Sequence, residues 1–195
     1  DYHFMGKDDE KAHENPMLVI VNERTKEKFA RLTGKKGMGE GGDMDWLVKD
    51  VAEELKTWGH AGGAGGKLII KCDGEASIKK VREAVAQFIG GEVIIEEPAK
   101  GESQSNGVVE EAGKTVREFT VLMKTQLEDK TGITIEPGEV LNQWMVRWAA
   151  MLLSRFMVGR DSMTGYERRR GRKCTIAVLP FGEAVWYKEV RVTKE

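Results

Sequence analysis

The sequence predicts an α/β fold, a five-stranded mixed sheet flanked by helices, and three observations carry that expectation. Short apolar runs alternate with polar turns over the first thirty or so residues, as they do in an antiparallel meander. The middle reads strand, helix, strand, and such a crossover implies parallel pairing. The rest holds two long stretches with apolar residues at steps of three and four, the period of helices with one buried face.

Taken in order, Tyr2 to Met5, Met17 to Val21 and Lys28 to Leu32 are the meander strands, and the charged segment Gly6 to Asn15 is the first turn. Tyr2 to Met5 reads as the second half of a strand whose beginning is absent, so the chain is expected to be a fragment of something longer. Glycine-rich Gly34 to Gly42 leads to Asp43, the expected cap of a helix that carries Leu47, Val48, Val51, Leu55 and Trp58 on one face and stops at Gly59. Gly66 to Asp73 resumes the sheet. Ser77 is the expected cap of a second helix carrying Ile78, Val81, Val85 and Phe88, and Gly90-Gly91 releases it into the strand Glu92 to Glu96. A long helix runs from Ser105 to Lys130 with Val109, Ala112, Val116, Phe119, Met123 and Leu127 along one face. Pro137-Gly138 connects it to an apolar helix from Glu139 to Val158, and Pro180 to Val192 alternates enough for a strand or hairpin.

A chain of 195 residues fits one domain with a sizeable core. The apolar stretch Trp144 to Val158 is broken by Arg147 and Arg155, so it reads as a buried helix rather than a bilayer span. Two cysteines without a CxxC pattern and three scattered histidines assemble no zinc-ligand spacing, and a reducing compartment is the default. The net charge of -1 does not advertise a nucleic-acid binder, but Arg168-Arg169-Arg170-Gly171-Arg172-Lys173 concentrates positive charge near the C-terminus. That run either holds a phosphate backbone or is a solvated loop outside the core. Ala61 to Lys67 superficially resembles a phosphate-binding loop, yet Leu68 stands where Ser or Thr is required and the glycines precede a strand, so a flexible turn is the better reading.

Three carboxylates stand out by position. Asp1 lies at a strand, Asp73 ends the apolar run Leu68 to Cys72, and Glu110 opens the long helix. Two strand-end aspartates and a helical glutamate are what a two-magnesium phosphoryl-transfer site requires, because hard oxygen ligands on rigid elements leave positions open for phosphate and water. Lys114 and Arg117 share the polar face of Glu110, which sets a candidate metal ligand beside two cations able to grip DNA phosphates. The alternative is an ordinary Glu110 to Lys114 helical salt bridge worth about 0.2–0.5 kcal/mol. The residues alone leave both readings open.

Gln104-Ser105-Asn106-Gly107-Val108-Val109-Glu110 resembles the motif that opens the catalytic helix of retroviral and retrotransposon integrases, with the acid three residues after glycine. Thr164-Gly165-Tyr166-Glu167 and the later Phe181-Gly182 resemble the end of the integrase core in copia-type elements, which tends to read Thr-Pro-Tyr-Glu and then Phe-Gly. The resemblance covers nearly the whole chain. It implies an RNase H-like fold, a core over residues 1–178 with a truncated first strand, and a C-terminal strand or tail over 179–195. It further implies processing of element DNA ends and joining to target DNA, with two magnesium or manganese ions. By the same resemblance Asp1, Asp73 and Glu110 are the catalytic metal ligands, while Gln104, Ser105, Asn106, Lys114 and Arg117 contact DNA. The expected partners are element ends, target DNA and further copies of the chain, and the expected location is the nucleus or cytoplasm. The sequence departs from the family pattern at Asp73-Gly74-Glu75, where Asp-Asn-Gly is common, and at Gly165 in place of proline.

Two other functions compete. A ribonuclease H of the same fold would add a glutamate from the first helix, for which Glu53 or Glu54 is available, although the Asn106-Gly107 opening argues against it. A non-catalytic remnant would bind DNA or self-associate through the helix bearing Trp144, Trp148, Met151 and Leu152, residues that core burial explains equally well. Trp46 and Trp58 read as packing residues.

Overall fold

The computed structural model describes residues 1–6, 10–11, 14–38, 44–60, 67–96 and 106–186. Its elements are β1 (Tyr2–His3), β2 (Met17–Val21), β3 (Lys28–Leu32), α1 (Asp45–Thr57), β4 (Lys67–Lys71), α2 (Ala76–Ile89), β5 (Glu92–Glu96), α3 (Gly107–Thr131), α4 (Val140–Phe156) and α5 (Gly165–Arg170). The expected cap Asp43 and the tract Ala61 to Gly66 lie outside the described residues. No helix among those described is long and apolar enough to cross a membrane.

The meander forms as the alternation predicts. β1 pairs antiparallel with β2 at Tyr2↔Leu18, and β2 with β3 from Met17↔Leu32 to Val21↔Lys28. β2 is apolar throughout because both of its faces are covered. Leu18 and Phe29 pack with Leu47 and Val51 of α1 and Ile78, Val81 and Val85 of α2. On the opposite face Met17, Val19 and Ala30 pack with Val116 and Met123 of α3 and Met145, Val146 and Ala149 of α4. A sheet between two helical layers follows from that alternation.

The strand, helix, strand unit pairs parallel, Leu68 opposite Val93 and Ile70 opposite Ile95. It does not join the meander into the expected five-stranded sheet: among the described residues there is a three-stranded sheet, β1-β2-β3, and a two-stranded sheet, β4-β5. β1 covers only the first residues of β2, and beyond it a cavity of about 380 Å³ lies between Val19 to Arg24 and Lys67 to Cys72. With that space between them, the facing strand edges have no ladder partner. β4 is also buried on one face only, since Ile69 is 57% exposed.

Smaller differences have local causes. α2 is capped at Glu75 and not at Ser77, whose hydroxyl donates to Glu75 Oε1 at 2.5 Å. α4 is not buried all round: Trp144 is 62% exposed, whereas Met145, Val146 and Ala149 on the other side are fully buried. Trp58 packs in the core as expected, but Trp46 is exposed. Residues 180–186 contain a turn at Phe181-Gly182 and no strand, and 187–192 lie outside the described residues.

Candidate functional site

Three element ends meet at one corner. Asp1 extends the β1–β2 ladder, its amino group donating to the Val19 carbonyl at 2.7 Å and its carbonyl accepting from the Val19 amide at 2.8 Å. Its side-chain Oδ1 accepts from the Tyr2 amide at 2.7 Å. Asp73 lies just past β4, and its Oδ1 accepts from the Glu75 amide at 3.2 Å, a turn that starts α2. These two ends are neighbours. The charged neighbours of the Asp1 nitrogen are Asp73, Cys72 and Glu75.

The third end is the start of α3. Val109 borders the same cavity as Asp1 and Cys72. His3 of β1 packs directly on this helix, where Gly113 leaves room for its ring. Burial, followed by the positive charges of the amino terminus, Arg117 and Lys36, pushes His3 down to about 4, with the backbone at Val109 opposing. The imidazole is therefore neutral at neutral pH. Its Nε2 is buried without a hydrogen-bond partner among the described residues.

Glu110 follows Val109 in the first turn of α3 and is exposed. The helical salt bridge that competes for it does not form, because Lys114 pairs with Glu118 at 3.8 Å. Arg117 is exposed on the same face. Asn106 caps the helix without a side-chain capping bond, while Gln104 and Ser105 lie outside the described residues. Asp1 and Asp73 are thus neighbours, and Val109, the residue before Glu110, borders the same cavity as Asp1. Among the described residues, however, no three His, Cys, Asp or Glu side chains approach closely enough to hold a metal ion.

Several side chains around the corner have structural tasks that the sequence does not signal. Glu75 accepts from Lys36 Nζ at 3.0 and 2.9 Å. That ammonium also lies 5.7 Å from the Tyr2 ring and 5.3 Å from the Phe4 ring. Burial pushes the Glu75 carboxyl up, but the Ser77 hydroxyl and Lys36 outweigh it, and the net shift is downward. The Tyr2 hydroxyl accepts from the Gly37 amide at 3.1 Å. Glu75, a departure from the family pattern, is therefore a tie between the loop before α1 and the loop after β4. Glu54, the ribonuclease H candidate, has Arg31, Glu27 and Arg169 as its charged neighbours, not Asp1 or Asp73.

The basic run is divided between tasks. Arg168 chelates Asp161 through Nε and Nη2 at 2.9 and 2.5 Å, and Arg169 Nε donates to Glu27 Oε2 at 2.6 Å. Its first two residues are thus internal fasteners, and neither sequence-level reading describes the whole run.

The sequence matches no family model and no curated protein. Among solved structures, the crystal structure of the catalytic core domain of BIV integrase matches with a TM-score of 0.52 and 15% identity, over 87% of this chain and 90% of that one. The fold is that of a retroviral integrase catalytic core. A chain of the simian T-cell lymphotropic virus intasome, solved by cryo-electron microscopy in complex with PP2A regulatory subunit B56 gamma, matches with a TM-score of 0.59 and 10% identity over 97% of this chain. The present chain spans 58% of that longer one. Within the integrase-core fold, Thr164-Gly165-Tyr166-Glu167 works as a capping box: Thr164 Oγ1 accepts from the Glu167 amide at 3.1 Å, and Glu167 Oε2 accepts from the Thr164 amide at 2.7 Å. A Cβ on Gly165 would lie 2.9 Å from Glu27 Cγ and 3.1 Å from both the Glu27 nitrogen and the Ser154 carbonyl oxygen. This close packing accounts for glycine at the first position of α5.

Proposed function

We propose that this chain is the catalytic core of a copia-type retroelement integrase, a polynucleotidyl transferase of RNase H-like fold that trims element DNA ends and joins them to target DNA. The observation that supports the reading is the contact of α3 with β1 within an integrase-core fold, where Asp1, Cys72 and Val109, each at or next to a proposed ligand, border one cavity.

The donor chemistry suits magnesium or manganese. All three side chains are carboxylates, and Asp1 Oδ2 and Asp73 Oδ2 have no hydrogen-bond partner among the described residues. No three carboxylates among the described residues stand close enough for a metal, so in this reading Asp1, Asp73 and Glu110 would draw together around two such ions, which supply Lewis-acid polarisation of the scissile phosphate when bound. The remaining tasks belong to the chain: Lys114 and Arg117 neutralise DNA phosphates along α3, and Gln104, Ser105 and Asn106 contact the DNA end.

The test is nicking and strand joining on short labelled DNA, with magnesium and manganese titrated, for the unmodified chain, Asp73→Asn and Glu110→Gln. Metal-dependent products that disappear in both variants support the reading. Products that persist in either variant refute the triad.

A second reading, DNA binding or self-association without cutting, is favoured by Val140, Leu141 and Trp144, exposed together on the first turns of α4. It predicts a concentration-dependent mass that Trp144→Ser lowers, with no cut product under any metal condition.

A further inference from the structure

A second cavity, of about 540 Å³, lies on the other side of α3, between the β2–β3 turn and the segment that joins α4 to α5. Its walls carry Arg24, Lys26, Lys28, Arg160 and Arg168, against the acids Glu111 and Asp161. Asp161 is consumed by the bidentate contact with Arg168, which leaves four cations facing Glu111. Arg24, Lys26 and Arg160 form no ion pair with any described residue.

The turn that carries Arg24, Lys26 and Lys28 is fixed by its own backbone bonds and by Arg168. Asn22 Oδ1 accepts from the amides of Arg24 and Thr25 at 3.1 and 3.0 Å, and the Lys26 amide donates to the Asn22 carbonyl at 2.7 Å. Lys26 sits at φ +64°, a conformation that favours glycine, yet the position carries a cation. Arg168 Nη1 donates to the Thr25 carbonyl at 3.0 Å and so locks the turn to α5. Gly159 makes this possible, since a Cβ there would fall 2.2 Å from Arg168 Nη2. Burial lowers the Lys28 ammonium, which has only the Lys26 carbonyl, at 3.2 Å, as a hydrogen-bond acceptor among the described residues. Arg24, Lys26 and Arg160 are exposed and Lys28 is half-buried, and such a cluster of cations gains most from an anion with several acceptor oxygens.

We infer that this cavity is a second phosphate-binding site that grips the backbone of a bound polynucleotide through Arg24, Lys26, Lys28 and Arg160, away from the Asp1, Asp73 and Glu110 corner. The inference rests on the nucleic-acid reading of the chain. Glu111 borders the cavity, one residue and about 100° around α3 from Glu110, so a strand crossing the start of α3 reaches both places.

The test is fluorescence anisotropy with a short fluorescein-labelled DNA, read as affinity against salt. Lys26→Gly removes a charge and relieves the positive φ, so it keeps the fold and lowers the slope of log affinity on log salt by about one. Arg24→Ala with Arg160→Ala lowers that slope by about two and weakens binding roughly tenfold at low salt. Circular dichroism establishes that each variant is folded. Unchanged slopes in these folded variants, or no DNA binding by the unmodified chain at low salt, overturn the inference. Reduced slopes without any metal-dependent nicking leave this site standing and remove the catalytic reading. Unchanged slopes with intact nicking remove this site alone.

Discussion

The imidazole of His3 fills the space that a methyl group on Gly113 would need: a Cβ there lies 2.2 Å from Nε2, 2.3 Å from Cε1 and 2.4 Å from Cδ2. The contact seats α3 directly on β1.

Gly113→Ala is expected to destabilise the chain by about 1–3 kcal/mol, because overpacking displaces the ring. In a His3→Ala background the same change becomes neutral or gains up to about 1 kcal/mol from alanine's helix propensity. A double-mutant cycle by urea unfolding measures the coupling, and additive effects would mean that the ring and the helix do not compete for this space.

His3 also predicts a pH response. Its pKa falls from 6.5 to about 4 in the folded chain, so the unfolded chain binds the extra proton between these values. The contribution of neutral His3 is fully present above about 6.5 and is lost as pH falls towards about 4. Urea midpoints should decline over that window more steeply for the unmodified chain than for His3→Gln. A His3 resonance titrating near 6.5 in the folded protein would exclude the effect.

Arg169→Ala is expected to cost about 3 kcal/mol, since it strands the Glu27 carboxylate, which is only 4% exposed. Arg170→Ala, one residue on and exposed, should stay within about 0.5 kcal/mol of the unmodified chain. Equal midpoints for the two variants would show that the run is a solvated loop.

Gly165→Pro tests the packing reason for the unusual motif. Proline is normally favoured at the first helical position. Here its ring carbons meet Glu27 and the Ser154 carbonyl oxygen, and a melting temperature lowered by several degrees is expected. A variant as stable as the parent would show that those neighbours can yield.

The regular elements were legible because their signals are local. β2, β3 and β5 match the expected bounds to the residue, and parallel pairing of β4 with β5 followed from the single helix between them. Apolar period placed α1 to α4 within about two residues, the usual uncertainty at helix ends. The resemblance to integrases rested on short motifs, and the fold agrees with it along most of the chain.

By itself the sequence determined the two periodicities, and with them which faces of β2, α1, α2, α3 and most of α4 are buried. Only the tertiary structure decided that the strands divide into two sheets, because pairing across a gap depends on edges far apart in the chain. It also decided the partners of charges. Nothing local tells that Arg169 meets Glu27 or that Lys36 meets Glu75. Burial is written as a repeating pattern along the chain, whereas a charge carries no such period, so its partner is set by which elements the fold brings together.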